Sequence, residues 1–134
     1  MYKFVLLLFV PFLLQAQCDE GEYELLIETY SGEWAEEISW FIIDNNGENI
    51  FFYDGSETEN DTNYSQNICL SAGCYAFEAI DSYGDGWNDG YTQLTSLNDD
   101  VDFGIPELVV ELEGGSIGYT VFQINDSECI YSGL

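Results

Sequence analysis

Gln66-Asn67-Ile68-Cys69-Leu70-Ser71-Ala72-Gly73-Cys74-Tyr75-Ala76-Phe77-Glu78-Ala79-Ile80 runs directly into Asp81-Ser82-Tyr83-Gly84-Asp85-Gly86-Trp87-Asn88-Asp89-Gly90. The first stretch holds two short segments rich in apolar residues, 66–70 and 74–80, separated by small turn-forming residues. That pattern reads as a β-hairpin. The second stretch begins where the hairpin's second strand ends. It places a carboxylate at every fourth position and a glycine between or beside each, so the backbone can turn sharply.

On either side, alternation and β-branched or aromatic runs dominate, and no segment sustains a 3.6-residue period. Residues 23–30, 38–44, 49–53, 91–97, 108–112 and 119–124 read as further strands. In the second of these, Ile38, Trp40 and Ile42 share one face. Asn45-Asn46-Gly47-Glu48 is a hairpin signal, with Asn-Gly suited to a type I′ turn. Residues 31–36 and 54–63 are polar connections, and Gly114-Gly115 marks another turn. Pro106 argues against a central strand across 98–106. About eight short strands with frequent turn signals imply an all-β chain, an antiparallel β-sandwich of jelly-roll-like kind.

The acidic stretch has the chemistry of a hard-cation site. Ca²⁺ takes six to eight oxygen ligands, and a glycine-hinged loop can wrap carboxylates and carbonyls around one ion. Aligned with an EF-hand loop, Asp81, Asp85, Gly86 and Asp89 fall at positions 1, 5, 6 and 9. Tyr83 and Thr92 occupy positions 3 and 12, where oxygen ligands and a glutamate belong. The stretch is therefore a half-matching acidic turn, with Asp81, Asp85 and Asp89 as candidate ligands for one Ca²⁺, Asn88 as an extra oxygen donor, and other ligands from elsewhere in the fold. The competing reading is Asx-turns that keep a loop soluble. Trp87 and Tyr91 flank the turn and either pack it onto the sandwich or stack on a sugar ring. Trp34, in a charged connection, is the aromatic expected at the surface, and Trp40 is expected in the core.

Composition narrows the function classes. The chain has 134 residues, 26 acids, one base and no histidine, for a formal charge of −25. Residues 1–17 read as a signal peptide, with Lys3 ahead of an apolar run over residues 4–14, too short to span a bilayer. Residues 18–134 are then a single domain with 26 acids, no base and a charge of −26. Nucleic acid and anionic membrane surfaces are excluded as partners, because nothing can displace phosphate counterions. A chain that is 46 % hydrophobic and 16 % aromatic nevertheless has ample material for a core.

Four cysteines in a secreted chain imply two disulfides in one of three pairings. If residues 66–80 form a hairpin, Cys69 and Cys74 oppose each other and can bridge. Cys18–Cys129 then follows by elimination. A lipid on Cys18 is the rival reading, which would anchor the protein and leave Cys129 without a partner.

Taken in order, Glu37-Ile38-Ser39-Trp40, Asp44-Asn45-Asn46-Gly47, Cys69 to Phe77 and Asp81 to Trp87 carry a resemblance. They are similar to the secreted β-rich modules, common in marine Bacteroidota and some algae, with a C-L-x-x-G-C-Y-x-F segment followed by D-S-Y-G-D-G. Such modules sit beside extracellular peptidases or within surface proteins exported by the type IX secretion system. The resemblance spans residues 23–97 and implies a β-rich fold and secretion. It also marks Glu28 and Glu37 as acidic positions of the pattern, and hence as second-tier ligands.

Without histidine, Ser-His-Asp, Cys-His and His-metal catalysis are all unavailable. The sequence therefore points to a secreted, non-catalytic binding or adhesion module, calcium-stabilised, with an extracellular glycan or surface protein as partner and no membrane insertion. The alternatives are an acidic matrix protein that binds cations or mineral and, more remotely, a glycoside hydrolase or lyase built on paired carboxylates. Asn60, Asn63 and Asn125 head N-glycosylation sequons, which carry meaning in a eukaryotic source.

Overall fold

The computed structural model describes residues 18–97, 101–104 and 107–133. The expected signal peptide and Pro106 lie outside the described residues. Eight strands form: β1 Glu22–Tyr30, β2 Ile38–Asp44, β3 Asn49–Asp54, β4 Asn63–Ser71, β5 Gly73–Asp81, β6 Tyr91–Ser96, β7 Val109–Val110 and β8 Ile117–Ile124. They make two four-stranded sheets, ordered β4-β1-β6-β7 and β3-β2-β5-β8, with antiparallel pairing throughout the named strands. The all-β sandwich expected from the alternation is the fold observed.

Alternation builds the core between the sheets. Leu25 and Ile27 of β1, Ile68 and Leu70 of β4, and Leu94 of β6 face inward from the first sheet. Ile38, Trp40 and Ile42 meet them from the second sheet, with Tyr75, Phe77 and Ala79 of β5 and Phe122 and Ile124 of β8. Trp40 is buried as expected, stacked on Tyr53 at 6.0 Å and tilted against Phe77 at 5.2 Å. One polar group in this core is shared. The Trp40 indole N–H donates to Thr29 Oγ1 at 3.0 Å, and Thr29 Oγ1 also lies 3.0 Å from Thr92 Oγ1.

The β2–β3 connection is a hairpin, as Asn-Gly implied, but its turn is of another type. Gly47 alone of the four residues has positive φ, at +83°. Gly47 N donates to Asp44 O, and Asp44 N to Glu48 O, which makes a three-residue loop with a glycine bulge rather than a type I′ turn. A second irregularity follows along β3, where Ile43 lies opposite Asn49 but Ile42 opposite Phe51, leaving Ile50 as the extra residue.

The segment expected to be a second hairpin is not one. β4 pairs with β1 and β5 pairs with β2 and β8, so the chain crosses from one sheet to the other at Ala72. The cysteine pairing changes with it. Cys69 lies between the inward-facing Ile68 and Leu70, and so points to the outer side of the first sheet. Cys74 precedes the inward-facing Tyr75 and points to the outer side of the second. Packed sheets stand about 10 Å apart, and side chains on opposite outer faces cannot meet the short Cα separation of a disulfide. The bonds are Cys18–Cys69 and Cys74–Cys129, with Cα separations of 5.4 and 5.3 Å, in place of Cys69–Cys74 and Cys18–Cys129. With Cys18 oxidised, it is not the lipid attachment point of the rival reading. Sequence separations of 51 and 55 residues correspond to about 4 kcal/mol each on the chain-entropy model.

The shared Thr29 hydroxyl gives a direct test of the core. Thr29→Val keeps the shape but leaves the Trp40 N–H and the Thr92 hydroxyl without their partner, a cost of about 1–3 kcal/mol for a buried orphan. Urea unfolding should show that loss, and adding Thr92→Val should recover part of it. A Thr29→Val midpoint equal to wild type would contradict the buried network.

Candidate metal centre

β5 ends on Asp81, whose alternation continues the inward row of Tyr75, Phe77 and Ala79 and carries the carboxylate into the interior. A buried carboxylate needs hydrogen bonds. Asp81 takes three from its own loop: Tyr83 N at 3.1 Å to Oδ1, and Gly84 N and Gly86 N at 2.8 and 2.7 Å to Oδ2. Gly84 and Gly86 turn the chain at φ +96° and +95°. At Gly86 a Cβ would run into the Leu112 carbonyl oxygen, so the loop needs glycine there for close approach as well.

Three contacts fix this loop to distant segments. Asp81 N donates to Ser116 O at 2.9 Å, Trp87 N to Leu112 O at 2.7 Å and Ser82 N to Glu37 O at 3.0 Å. The last follows from the β2–β5 register, in which Ile38 lies opposite Asp81 and brings Glu37, the end of a short 3-10 turn over Ala35–Glu37, beside the loop. As a result carboxylate oxygens of Glu37, Asp81 and Asp85 lie within 4.8 Å of one another. Partial burial, and after it the charges of Asp81, Asp85 and Glu36, push the Glu37 carboxyl above its usual range.

The remaining candidate residues are distributed differently. Asn88, at φ +46°, donates its side-chain amide to Asp85 Oδ1 at 3.1 Å and to Gly86 O at 3.0 Å. Asp89, at φ +72°, is not among these converging carboxylates. With Asp85, Asn88, Glu111 and Glu113 it lines a cavity of about 360 Å³. Glu28 stands on β1 across from Ser65 and Gln93 and is not among the converging carboxylates. A second grouping, Cys18, Glu22 and Cys69, offers no thiolate, because both cysteines are in a disulfide.

Of the aromatic candidates, Trp87 is fully buried. Its indole N–H donates to Ile80 O at 2.9 Å and its ring stands edge-on to Phe77. It pins the loop to the core and has no face free for a sugar. Tyr91 is half-buried against Tyr30, ring centroids 5.7 Å apart. Trp34 is exposed, as its polar surroundings implied.

Sequence reasoning missed Glu111 and Glu113. They are over twenty residues away, in a stretch with no motif, and the contacts of Leu112, Gly115 and Ser116 with the loop bring them near. Glu37 was marked only by the family resemblance.

The donor set suits a hard cation. Three carboxylates supply oxygens at one place, and Asp81 Oδ1 accepts a single N–H and keeps a lone pair. Zinc and copper would need nitrogen or sulfur ligands that are lacking here. No protein-family model matches the chain, and comparison with curated proteins and with solved structures yields no match either.

The two aspartates should behave differently in metal-free protein. Asp81→Asn leaves buried loop N–H groups short of acceptors and should cost about 2 kcal/mol. Exposed Asp85→Asn should stay within about 0.5 kcal/mol of wild type. Equal losses in chelator would contradict the assigned role of Asp81. The Glu37 shift sets a pH dependence. A carboxyl raised by folding binds its proton more tightly in the native state, so its contribution to stability falls as pH rises from the ordinary glutamate pKa through the raised value. In EDTA, Glu37→Gln should therefore be more stable than wild type at pH 7, with the gap narrowing as pH falls through that window. A Glu37→Gln variant less stable at pH 7 in EDTA would be the contrary result.

Proposed function

We propose that the chain is a secreted, non-catalytic recognition module whose acidic loop is closed by one Ca²⁺. The observation that carries this reading is the convergence of Glu37, Asp81 and Asp85, from two different segments, in a domain with no Lys, Arg or His between residues 18 and 133. No side-chain cation is available to relieve their mutual repulsion, and a divalent ion with oxygen preference is the fitting counter-charge. Two long-range disulfides support an oxidising, extracellular setting, as does the resemblance to secreted modules. A chain without histidine, and without a free cysteine among the described residues, supports binding over catalysis. With Trp87 in the core, exposed Trp34 and half-buried Tyr91 remain the aromatic candidates for an extracellular glycan, and a surface protein is the other partner class.

One observation favours a second reading, an acidic matrix protein. Asp85, Asp89, Glu111 and Glu113 line an open cavity beside the first cluster, a suitable place for loosely held cations. Stoichiometry separates the two. Calorimetric titration giving one saturable Ca²⁺ per chain supports the recognition module, whereas many weak, unsaturated equivalents support the matrix role.

Stability offers the sharper test. Extracellular Ca²⁺ modules bind in the 10⁻⁴–10⁻³ M range, so 1 mM Ca²⁺ should add about 0.4–1.4 kcal/mol to the native state. For a domain of this size that is a rise in Tm of about 2–8 °C. Mg²⁺ and NaCl at matched ionic strength control for general screening of the acidic surface. Glu37→Gln and Asp85→Asn should each remove the Ca²⁺-specific part, and Glu59→Gln should leave it intact. If NaCl or Mg²⁺ reproduced the whole rise, or both variants kept it, the loop would be an acidic turn without a metal.

A further inference from the structure

The outer face of the β3-β2-β5-β8 sheet is unlike the rest of this acidic surface. Register places Phe52, Phe41, Glu78 and Tyr119 in one row across all four strands, since Phe41 lies opposite both Phe52 and Glu78, and Glu78 opposite Tyr119. These positions alternate with core residues such as Trp40, Phe77 and Phe122, so the row points away from the core. The neighbouring rows add Ile80 opposite Ile117, and Val121, whose partner Ala76 is itself buried. Phe52 is 66 % exposed, Ile117 54 %, Tyr119 49 % and Val121 45 %. Neighbouring exposed apolar side chains of this kind mark interaction surfaces in soluble proteins. Phe41 and Phe52 lie against each other at 6.4 Å, and the Tyr119 hydroxyl donates to Glu78 Oε1 at 2.7 Å, so the aromatic frame and the carboxylate are held together.

We propose that this face docks a basic protein segment, with a lysine or arginine set on Glu78 between Phe41 and Tyr119 and apolar side chains on Phe52, Ile117 and Val121. Charge decides the occupant. A second copy would bring another domain with 26 acids and no base, and would set Glu78 against an acidic surface. A cation at Glu78 gains the carboxylate and the flanking ring faces together. An extended segment laid on the sheet would present alternate residues to it, so the matching pattern is apolar, basic, apolar at every second position. The inference rests on the reading of the chain as a recognition module and not on the metal centre, so it is tested both with EDTA and with Ca²⁺.

The probe is a seven-residue peptide with leucine, lysine and leucine at alternate positions and serine elsewhere, titrated into isotope-labelled protein by NMR. Saturable binding is expected in both buffers, with shifts confined to β2, β3, β5 and β8. Glu78→Gln, which can still accept from Tyr119, should weaken it at least fivefold, as should Phe52→Ser, while Glu59→Gln leaves it unchanged. Amide spectra of the variants report that the fold is retained. Absence of shifts at millimolar peptide would overturn the proposal. So would equal binding by a peptide with lysine at all three positions, weakened as much by Glu59→Gln as by Glu78→Gln. Concentration-dependent dimerisation abolished by Phe52→Ser would also overturn it, by making a second copy the occupant.

Discussion

No carboxylate between residues 18 and 133 has a basic side chain to pair with, and the described structure is arranged around that constraint. Backbone N–H groups take the place of cations. Asp44, Asp54, Asp102 and Asp126 each accept from the backbone N–H two residues further along, capping turns. Hydroxyls and amides serve others, as Tyr30 does for Asp61 and Asn67 for Glu24. Asp81 is the extreme case, buried at the end of β5 and surrounded by three N–H groups of its own loop. Glu37 is the case left unbalanced. It faces Asp81 and Asp85 with its carboxyl pushed up, so a divalent ion would relieve most strain there.

The disulfides complement this arrangement. Each ties one end of the domain to one of the two strands that flank the crossing at Ala72, Cys18 to β4 and Cys129 to β5. That crossing carries the chain from an edge strand of one sheet to an inner strand of the other. Sites on both sides of it are then held by covalent bonds rather than by charge pairs, which suits a surface whose self-repulsion opposes compaction.

Much of the fold was legible because alternation is a local property. The eight strands, the buried Trp40, the exposed Trp34 and the position of the β2–β3 turn all follow from neighbours in sequence. Pairing is not local. The residues Ser71-Ala72-Gly73 are equally suited to a hairpin and to a crossing between sheets, and only the competition of β1 for β4 and of β2 and β8 for β5 decides. The wrong disulfides followed from that one ambiguity. The site was half legible for the same reason. Asp81 and Asp85 stand out by spacing, whereas Glu111 and Glu113 arrive through the contact of Leu112 with Trp87 N. Packing is the favoured reading of Trp87 over stacking on a sugar, and its burial beside Phe77 agrees with packing.

The cation proposed between Glu37, Asp81 and Asp85 can be located by diffraction from crystals grown in millimolar Ca²⁺, with data collected at long wavelength for the anomalous signal of calcium. The expected result is one peak with carboxylate oxygens of Glu37, Asp81 and Asp85 at about 2.3–2.6 Å. A peak confined to the cavity of Asp89, Glu111 and Glu113, or no peak with the loop in the same conformation, would contradict it.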